Sequence, residues 1–512
     1  MKIQELLNEL EIIEVRNPIG DERVTGIANH TKDLEKGNIF VAIKGYITDG
    51  HKYIETAASQ GAVAVLVEEF DYDSEIAQYK VANTRTALSI ISDKYYNHPS
   101  KGLRVIGVTA TNGKTTTTYM LNDIMELAGF KTGLIGSVIN KIGAEFIPAV
   151  LTTPESLDLQ KLLSKMKEES VEKVAMEVSS SALELSRVNN VDFDIVSFNN
   201  FSREHIDQHG TFEKYWEAKS SLIINAKTDS YAILNLDDEY SSSLIDKTKA
   251  QVITYSLKEE LGNFYCKDLV IAKGRATFTV IINKPYEAFG REIEKDEFQI
   301  VLGVPGYHSV ANAMAAIAIA ITDGISIEVI KEALLYFNGV ERRFQYIYEN
   351  DFVIIDDHFA NKGNINVTLE TLRHMDYNKL HLVYAIRGNR GVTVNRENAE
   401  TVVAWKDRLR INEIIVTKSS EVVTSKDLVS NEEEAVFDEV MNKTDIIIHK
   451  YNRLDEAIKY SLNGVEKDDI ILLAGCQGMD HGGKVALDYL HVLKPELPIE
   501  DLYKPIINRV VE

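Results

Sequence analysis

Cysteine is scarce. The 512 residues hold two, Cys266 and Cys476, too far apart for a metal-ligand spacing and too few for a disulfide framework. That excludes a stapled secreted scaffold and leads us to expect a reducing, cytoplasmic setting. Long apolar runs are missing too. No stretch of about twenty apolar residues occurs, which excludes a membrane-inserted helix. The opening residues, Met1-Lys2-Ile3-Gln4-Glu5-Leu6-Leu7-Asn8-Glu9-Leu10, lack the apolar core of a signal peptide. Positive charge is in deficit: Lys and Arg total 56 against 78 Asp and Glu, a net charge of -22. Such a surface repels nucleic acid and anionic membrane, so neither is expected as a partner, and an anionic substrate must be held by local cations. Internal repeats and low-complexity segments are absent, and a monomer is expected.

What is present is an ordinary apolar content, 45%, enough for roughly three domains, each with its own core. Residues 1–100 read as a small α/β unit, with strands at Ile39–Ile43 and Ala62–Val67 and helices at Ile54–Gln60 and Ala87–Tyr96. The turn Asn97-His98-Pro99-Ser100 suits a boundary. Residues 101–338 alternate strands and helices, which implies a parallel sheet covered on both faces. Its later part, about 264–302, looks β-rich, and Gly306–Thr322 reads as a small-residue helix. Residues 339–512 repeat the alternation, with strands at Phe352–Ile355, Leu382–Ala385, Glu413–Val416, Ile446–His449 and Ile470–Ala474. The expected fold class is therefore α/β throughout, with a small N-terminal domain, a central nucleotide-binding parallel sheet and a C-terminal Rossmann-like domain. The acidic run Asn431-Glu432-Glu433-Glu434 reads as the exposed start of a helix.

The stretch with the most chemistry is Val105 to Thr118. An apolar strand pattern, Val105-Ile106-Gly107-Val108, gives way to Thr109-Ala110-Thr111-Asn112-Gly113, Lys114 and Thr115 follow, and a helical pattern runs from Thr116 to Leu127. Backbone N–H groups of such a loop can cradle phosphates, helped by the helix N-terminus. Lys114 would reach the terminal phosphates and the Thr115 hydroxyl would bind Mg²⁺. The loop departs from the strict glycine spacing because Val108 stands at the first glycine position. The strand–loop–helix context still makes ATP the expected ligand.

Other candidates are less clear on their own. Glu177, His205 and Asn235 fall at or just past predicted strand ends, where ligands gather in parallel sheets. A lone Glu there is commonly a cap or an ion-pair partner, and a lone His a satisfied structural residue. Together with Thr115 they could ligate Mg²⁺. Lys219, in Tyr215-Trp216-Glu217-Ala218-Lys219, reads most simply as a surface helix lysine.

These segments together resemble the Mur ligase family, the ATP-dependent enzymes that add amino acids to the muramoyl peptide of peptidoglycan. The resemblance spans the whole chain and is nearest to the members that add the third residue. It rests on Thr109–Thr116, Leu151-Thr152-Thr153-Pro154, Met176-Glu177-Val178-Ser179-Ser180, Ser202–Thr211, Ala218-Lys219 and Asn235-Leu236-Asp237-Asp238. It implies an ADP-forming carboxylate–amine ligase that works through an acyl phosphate. Residues 1–100 would bind a UDP-muramoyl acceptor, 101–338 ATP, and 339–512 the incoming amino acid. Thr111, Asn112, Gly113, Lys114, Thr115 and Thr116, with Asn312, Arg343 and Asp357, would contact ATP. Thr115, Glu177, His205 and Lys219 would hold Mg²⁺, Lys219 as a carbamate. Lys114, Lys219 and His205 would serve catalysis, and Thr152, Thr153, Ser179 and Arg187 would touch the acceptor.

The sequence departs from the family chiefly where substrates are read. Asn29-His30-Thr31 replaces an Asp-Ser-Arg triplet, Lys418-Ser419-Ser420-Glu421-Val422 replaces an Asp-Asn-Pro-Arg type motif, and Ala474-Gly475-Cys476-Gln477-Gly478-Met479-Asp480 replaces Ala-Gly-Lys-Gly-His-Glu. Diaminopimelate is therefore not the expected amine. Two alternatives stay open: the same chemistry on another carboxylate, such as a poly-amino-acid or specialised metabolite, and a nucleotide-binding regulator without ligase activity.

Overall fold

The structure is a computed structural model and describes residues 1–45, 48–202, 209–272, 275–507 and 509. It forms two compact units, Met1–Tyr255 with Ala318–Asp323, and Ser256–Ile317 with Gly324–Glu512.

The first unit carries two sheets. In the smaller one, β1 (Glu14–Arg16), β2 (Gly26–Ala28), β3 (Asn38–Val41), β4 (Ala64–Val67) and β5 (Ala77–Lys80) lie in the order β1-β5-β4-β3-β2, parallel except for β1. Sequence patterning finds β3 and β4, which are buried throughout, but not the short, partly exposed β1. Helix Thr84–Tyr95 starts three residues earlier than its apolar pattern suggests, because Asn83 caps it by accepting from Thr86 N. Ile39, Leu66, Leu88 and Ile91 meet in the core.

The larger sheet holds β6 (Arg104–Thr109), β7 (Thr132–Ile135), β8 (Ile139–Ile142), β9 (Glu145–Pro148), β10 (Lys173–Glu177), β11 (Ile195–Phe198), β12 (Tyr231–Asn235) and β13 (Gln251–Ser256). Their order is β13-β12-β11-β6-β10-β7-β8-β9. Strands β13 to β7 are parallel, and β8 and β9 add an antiparallel edge. From β6 the chain passes to β7 and β10 on one side and later to β11 on the other. A crevice therefore opens at the carboxyl end of β6, where the strand order reverses.

The second unit begins with long antiparallel strands β14 (Phe264–Ala272), β15 (Arg275–Ile282) and β18 (Asp296–Pro305), and a hairpin of β16 (Tyr286–Ala288) and β17 (Arg291–Ile293). Every second residue of β15 is buried, as a sheet with one solvated face requires. A six-stranded sheet follows, of β19 (Gln345–Glu349), β20 (Val353–Asp357), β21 (Leu380–Ala385), β22 (Glu413–Thr417), β23 (Ile447–Tyr451) and β24 (Ile470–Ala474). The order is β19-β20-β24-β21-β22-β23, parallel except for β19. Its two faces are covered by separate apolar layers, one with Ile355, Leu382 and Phe437, the other with Ile354, Leu473 and Leu487. The acidic run corrects one expectation. Ser430 caps helix Asn431–Met441, and Glu433 is buried, closing a capping box and accepting from Arg390 N and Gly391 N. Among the described residues, no helix is long and apolar enough to cross a membrane.

Candidate active site

The crevice at the end of β6 is where the first unit's candidates meet. β6 stops at Thr109, and helix Lys114–Leu127 begins two residues before its apolar pattern, with Gly113 as its cap. Gly113 has φ of 88°, a left-handed conformation that glycine adopts without strain. The loop is tied to the segment after β11. Thr111 N donates to Asn200 O, Asn112 N to Asn200 Oδ1 (3.0 Å), and Asn200 Nδ2 back to Asn112 O (2.9 Å). Thr111 Oγ1 shares a hydrogen with the Tyr215 hydroxyl at 3.2 Å. Both candidate lysines turn inward onto one carbonyl. Lys114 Nζ donates to Ala110 O at 2.8 Å and to Thr111 O at 3.2 Å, and Lys219 Nζ donates to Ala110 O at 2.6 Å. Lys219 is 2% exposed, so the surface-lysine reading is wrong. Helix Phe212–Ile224 buries it against the loop.

Glu177 ends β10, next to β6, and is 1% exposed. Its carboxylate is held by neutral donors. Ser137 N (2.8 Å) and Ser137 Oγ (3.1 Å) donate to Oε1, and Thr115 Oγ1 donates to Oε2 at 3.0 Å. The two hydroxyls are 3.0 Å apart. This is a compact set of hard oxygen donors, and it fits an oxygen-seeking cation such as Mg²⁺. His205 lies outside the described residues. Among those described, no group of three or more His, Cys, Asp or Glu side chains is placed to hold a metal.

The acceptor candidates line the neighbouring loop. Thr153 Oγ1 donates to Glu177 O (2.8 Å) and accepts from Ser179 N (3.1 Å). Ser179 caps helix Ser180–Glu184, and Arg187 Nη1 donates to Thr153 O at 3.1 Å while its Nη2 pairs with Glu155 at 2.7 Å. Arg187 Nε is buried with no partner among the described residues. Thr152, beside Thr153, is half-buried, and Thr116 follows Thr115 on the first turn of the loop helix. Asn235 holds the segment after β11, donating from Nδ2 to Asn199 O at 2.8 Å.

Asn312, Arg343 and Asp357 belong to the second unit. Asn312 is buried on helix Tyr307–Thr322. Asp357 ends β20, accepting from Phe344 N (2.7 Å) and Thr368 Oγ1 (2.8 Å). Burial pushes its carboxyl up to about 6, against the pull of the Thr368 hydroxyl and the nearby Arg343. Around it, Arg342 is ion-paired to Asp356 and Asp480, and His358 is held neutral by burial and the surrounding arginines 342, 343 and 387.

Two residues escaped the sequence reading. Ser137 supplies two of Glu177's bonds. Gly136 makes room for that carboxylate, since a Cβ there would sit 2.5 Å from Glu177 Oε1. The signal was faint: a glycine–serine pair at the end of β7, forty residues from its partner. His209 is a third. It is buried, with Nε2 2.9 Å from Ser180 Oγ and its ring beside Tyr215.

Comparison with known proteins is consistent along the chain. The Mur ligase family catalytic domain matches residues 23–97, the Mur ligase middle domain 108–320, and the Mur ligase glutamate ligase domain 342–477. The UDP-N-acetylmuramoyl-L-alanyl-D-glutamate--2,6-diaminopimelate ligase of Bacillus velezensis is 33% identical over 482 residues, 93% of this chain and 94% of its own. A solved structure of a protein with that enzyme name aligns with a TM-score of 0.69 at 22% identity, over 96% of this chain and 99% of its own. The MurF ligase of Thermotoga maritima, solved with ADP, aligns with a TM-score of 0.58 at 20% identity, over 95% of this chain and all of its own (100%).

Proposed function

We propose, because this chain belongs to the Mur ligase family, that it is an ATP-dependent, ADP-forming ligase joining an amino acid to the carboxylate of a UDP-N-acetylmuramoyl peptide. The observation that carries the reading is the pairing at the end of β6. Two lysines, the half-buried Lys114 and the buried Lys219, turn onto the loop carbonyl of Ala110, and the oxygen cluster of Thr115, Ser137 and Glu177 sits beside that loop. A pure nucleotide binder needs the loop and Lys114, but has no use for a second lysine buried at the same carbonyl.

A carboxylate is a poor electrophile. Transfer of the ATP γ-phosphoryl group to it makes an acyl phosphate with a good leaving group; attack by the amine then releases phosphate and forms the amide. Lys114 would leave its carbonyl partners for the phosphates and offset charge developing there. Thr115, Glu177, His205 and a carbamylated Lys219 would hold Mg²⁺, which when bound supplies charge neutralisation at the phosphates. Thr111, Asn112, Gly113 and Thr116 shape the loop around the phosphates. Asn312 and Arg343 would contact ATP, with Asp357 on the ribose. Thr152, Thr153, Ser179 and Arg187 would orient the acceptor. Thr153 is well suited, since its hydroxyl already joins the acceptor loop to the strand that carries Glu177. On this reading residues 1–100 bind the UDP end, 101–338 ATP, and 339–512 the amine.

For the amine we infer an amino acid other than diaminopimelate. Glu421 is engaged as a cap, accepting from Leu454 N, Lys418 pairs with Glu434, and Asp480 pairs with Arg342. None is left to read a second charged end. The test is phosphate release from the full-length protein across a panel of UDP-muramoyl peptides and unrelated acids, each with amino acids. Release should require both an acceptor carboxylate and an amine, and diaminopimelate should be among the poorest amines. Turnover with another acid but with no muramoyl acceptor would replace the acceptor assignment.

A further inference from the structure

The last described residue carries a buried charge. Leu502, on helix Ile499–Tyr503, and Ile506 beyond it pack into the apolar layer of Ile347, Leu487 and Leu490. Arg509 then reaches β19 and β20 with a side chain only 2% exposed. Its Nη1 lies 2.9 Å from Asp356 Oδ2, while Nε (3.1 Å) and Nη2 (2.6 Å) both donate to Gln345 Oε1. Gln345 Nε2 returns a bond to Pro505 O at 2.8 Å, closing the tail onto the strand.

The residues it grips are those that shape the Arg343–Asp357 corner. Asp356 has no exposure, and its other oxygen is 3.3 Å from Arg342 Nε. Arg342 also donates to Asp480 and to the carbonyls of Gly475 and Cys476, and its backbone N donates to the same Gln345 Oε1 at 3.2 Å. Arg342 and Phe344 have φ of 53° and 52°. Non-glycine residues stay in that region only where their surroundings over-determine them. Arg343 lies between the two, and Phe344 N donates to Asp357. Asp356 and Asp357 are consecutive on β20 and so point to opposite faces. Arg509 therefore sits behind the strand whose front presents Asp357, and it clamps the strained turn that presents Arg343.

We propose that Arg509 is a positioning residue for the nucleotide, holding the Arg342–Gln345 turn and β20 so that Asp357 faces a ribose. This rests on the reading of Asp357 as the ribose partner. The test compares the full-length protein's affinity for ADP with that for 2′,3′-dideoxy-ADP, by calorimetry. Wild type should prefer ADP by about tenfold, the worth of a hydrogen bond to a charged group. Arg509→Ala should compress that ratio to roughly twofold with the melting transition still cooperative. Should that variant not fold, Arg509→Lys carries the same test. It keeps the charge beside Asp356 but cannot fork to Gln345 as well, and should lower the ratio by about threefold. An unchanged ratio in a folded variant, whatever the melting temperature does, overturns the proposal. Asp357→Asn separates the two ideas. If it abolishes the preference while Arg509 substitutions do not, Arg509 alone is wrong. If it leaves the preference intact, the ribose reading fails and the proposal with it.

Discussion

Glu177 and Asp356 are both carboxylates with essentially no exposure, 1% and 0%, yet they are held in opposite ways. Glu177 is gripped by neutral groups: two hydroxyls and one backbone N–H. Asp356 lies between two guanidiniums, Arg342 and Arg509. Neutral donors leave most of a carboxylate's charge uncompensated, which suits a group waiting for a cation. Paired guanidiniums cancel it, which suits a fixed scaffold. On the proposed reading, the first arrangement belongs to a site that must change its contents. The second belongs to a support that must not move.

That contrast can be broken hardest at Lys219. If the lysine is part of the reactive apparatus, Lys219→Ala should lower kcat by about 10³-fold and leave the fold intact by thermal melting. Added formate or acetate should restore part of the rate, by supplying the carboxylate that the carbamate would provide. Full activity of the unsupplemented variant would return Lys219 to a structural role.

A smaller effect is expected at Gly136. An added methyl would lie 2.5 Å from Glu177 Oε1, so Gly136→Ala must shift the carboxylate by a fraction of an ångström. Misplacement on that scale should lower kcat by about thirtyfold, with the apparent Mg²⁺ requirement moving to higher concentration in steady-state assays. An unaltered Mg²⁺ dependence would mean that the Thr115–Ser137–Glu177 cluster is scaffold, like Asp356.

Most of the fold was legible because parallel strands buried on both faces read as plain apolar runs. β24 falls on the residues its sequence predicts, and β22 runs one residue further. Where strands are three or four residues long and partly exposed, as in β1, no period survives to be read. The strand–loop–helix around Lys114 was legible because its pattern is local: strand, loop, lysine and threonine are contiguous. Glu177's partners were not, since Ser137 is forty residues away and carries no pattern of its own. Glu433 misled because acidic residues in a first turn are usually solvated, whereas here the carboxylate turns inward to cap two segments at once. Arg509 had no local signature at all, and its partner Gln345 is 164 residues away. What sequence patterning conveys is contiguity and period; buried polar networks are assembled by tertiary contact and leave neither.

The mildest prediction sits on the charged side of the comparison, at Asp357. Burial raises its carboxyl from 3.8 to about 6. The ionised form is therefore disfavoured in the fold. This group subtracts stability above about pH 6 and restores it as the pH falls towards 4. Nucleotide binding should run the other way, because only the anion accepts two ribose hydroxyls strongly. Affinity for ADP should be flat above pH 7 and weaken by roughly tenfold between pH 7 and 5, measured by titration at constant ionic strength. Thr368→Val removes a bond that favours the anion, so it should move the midpoint of that decline to higher pH. A decline that ignores Thr368 belongs to another group, and Asp357 would then join Asp356 as part of the scaffold.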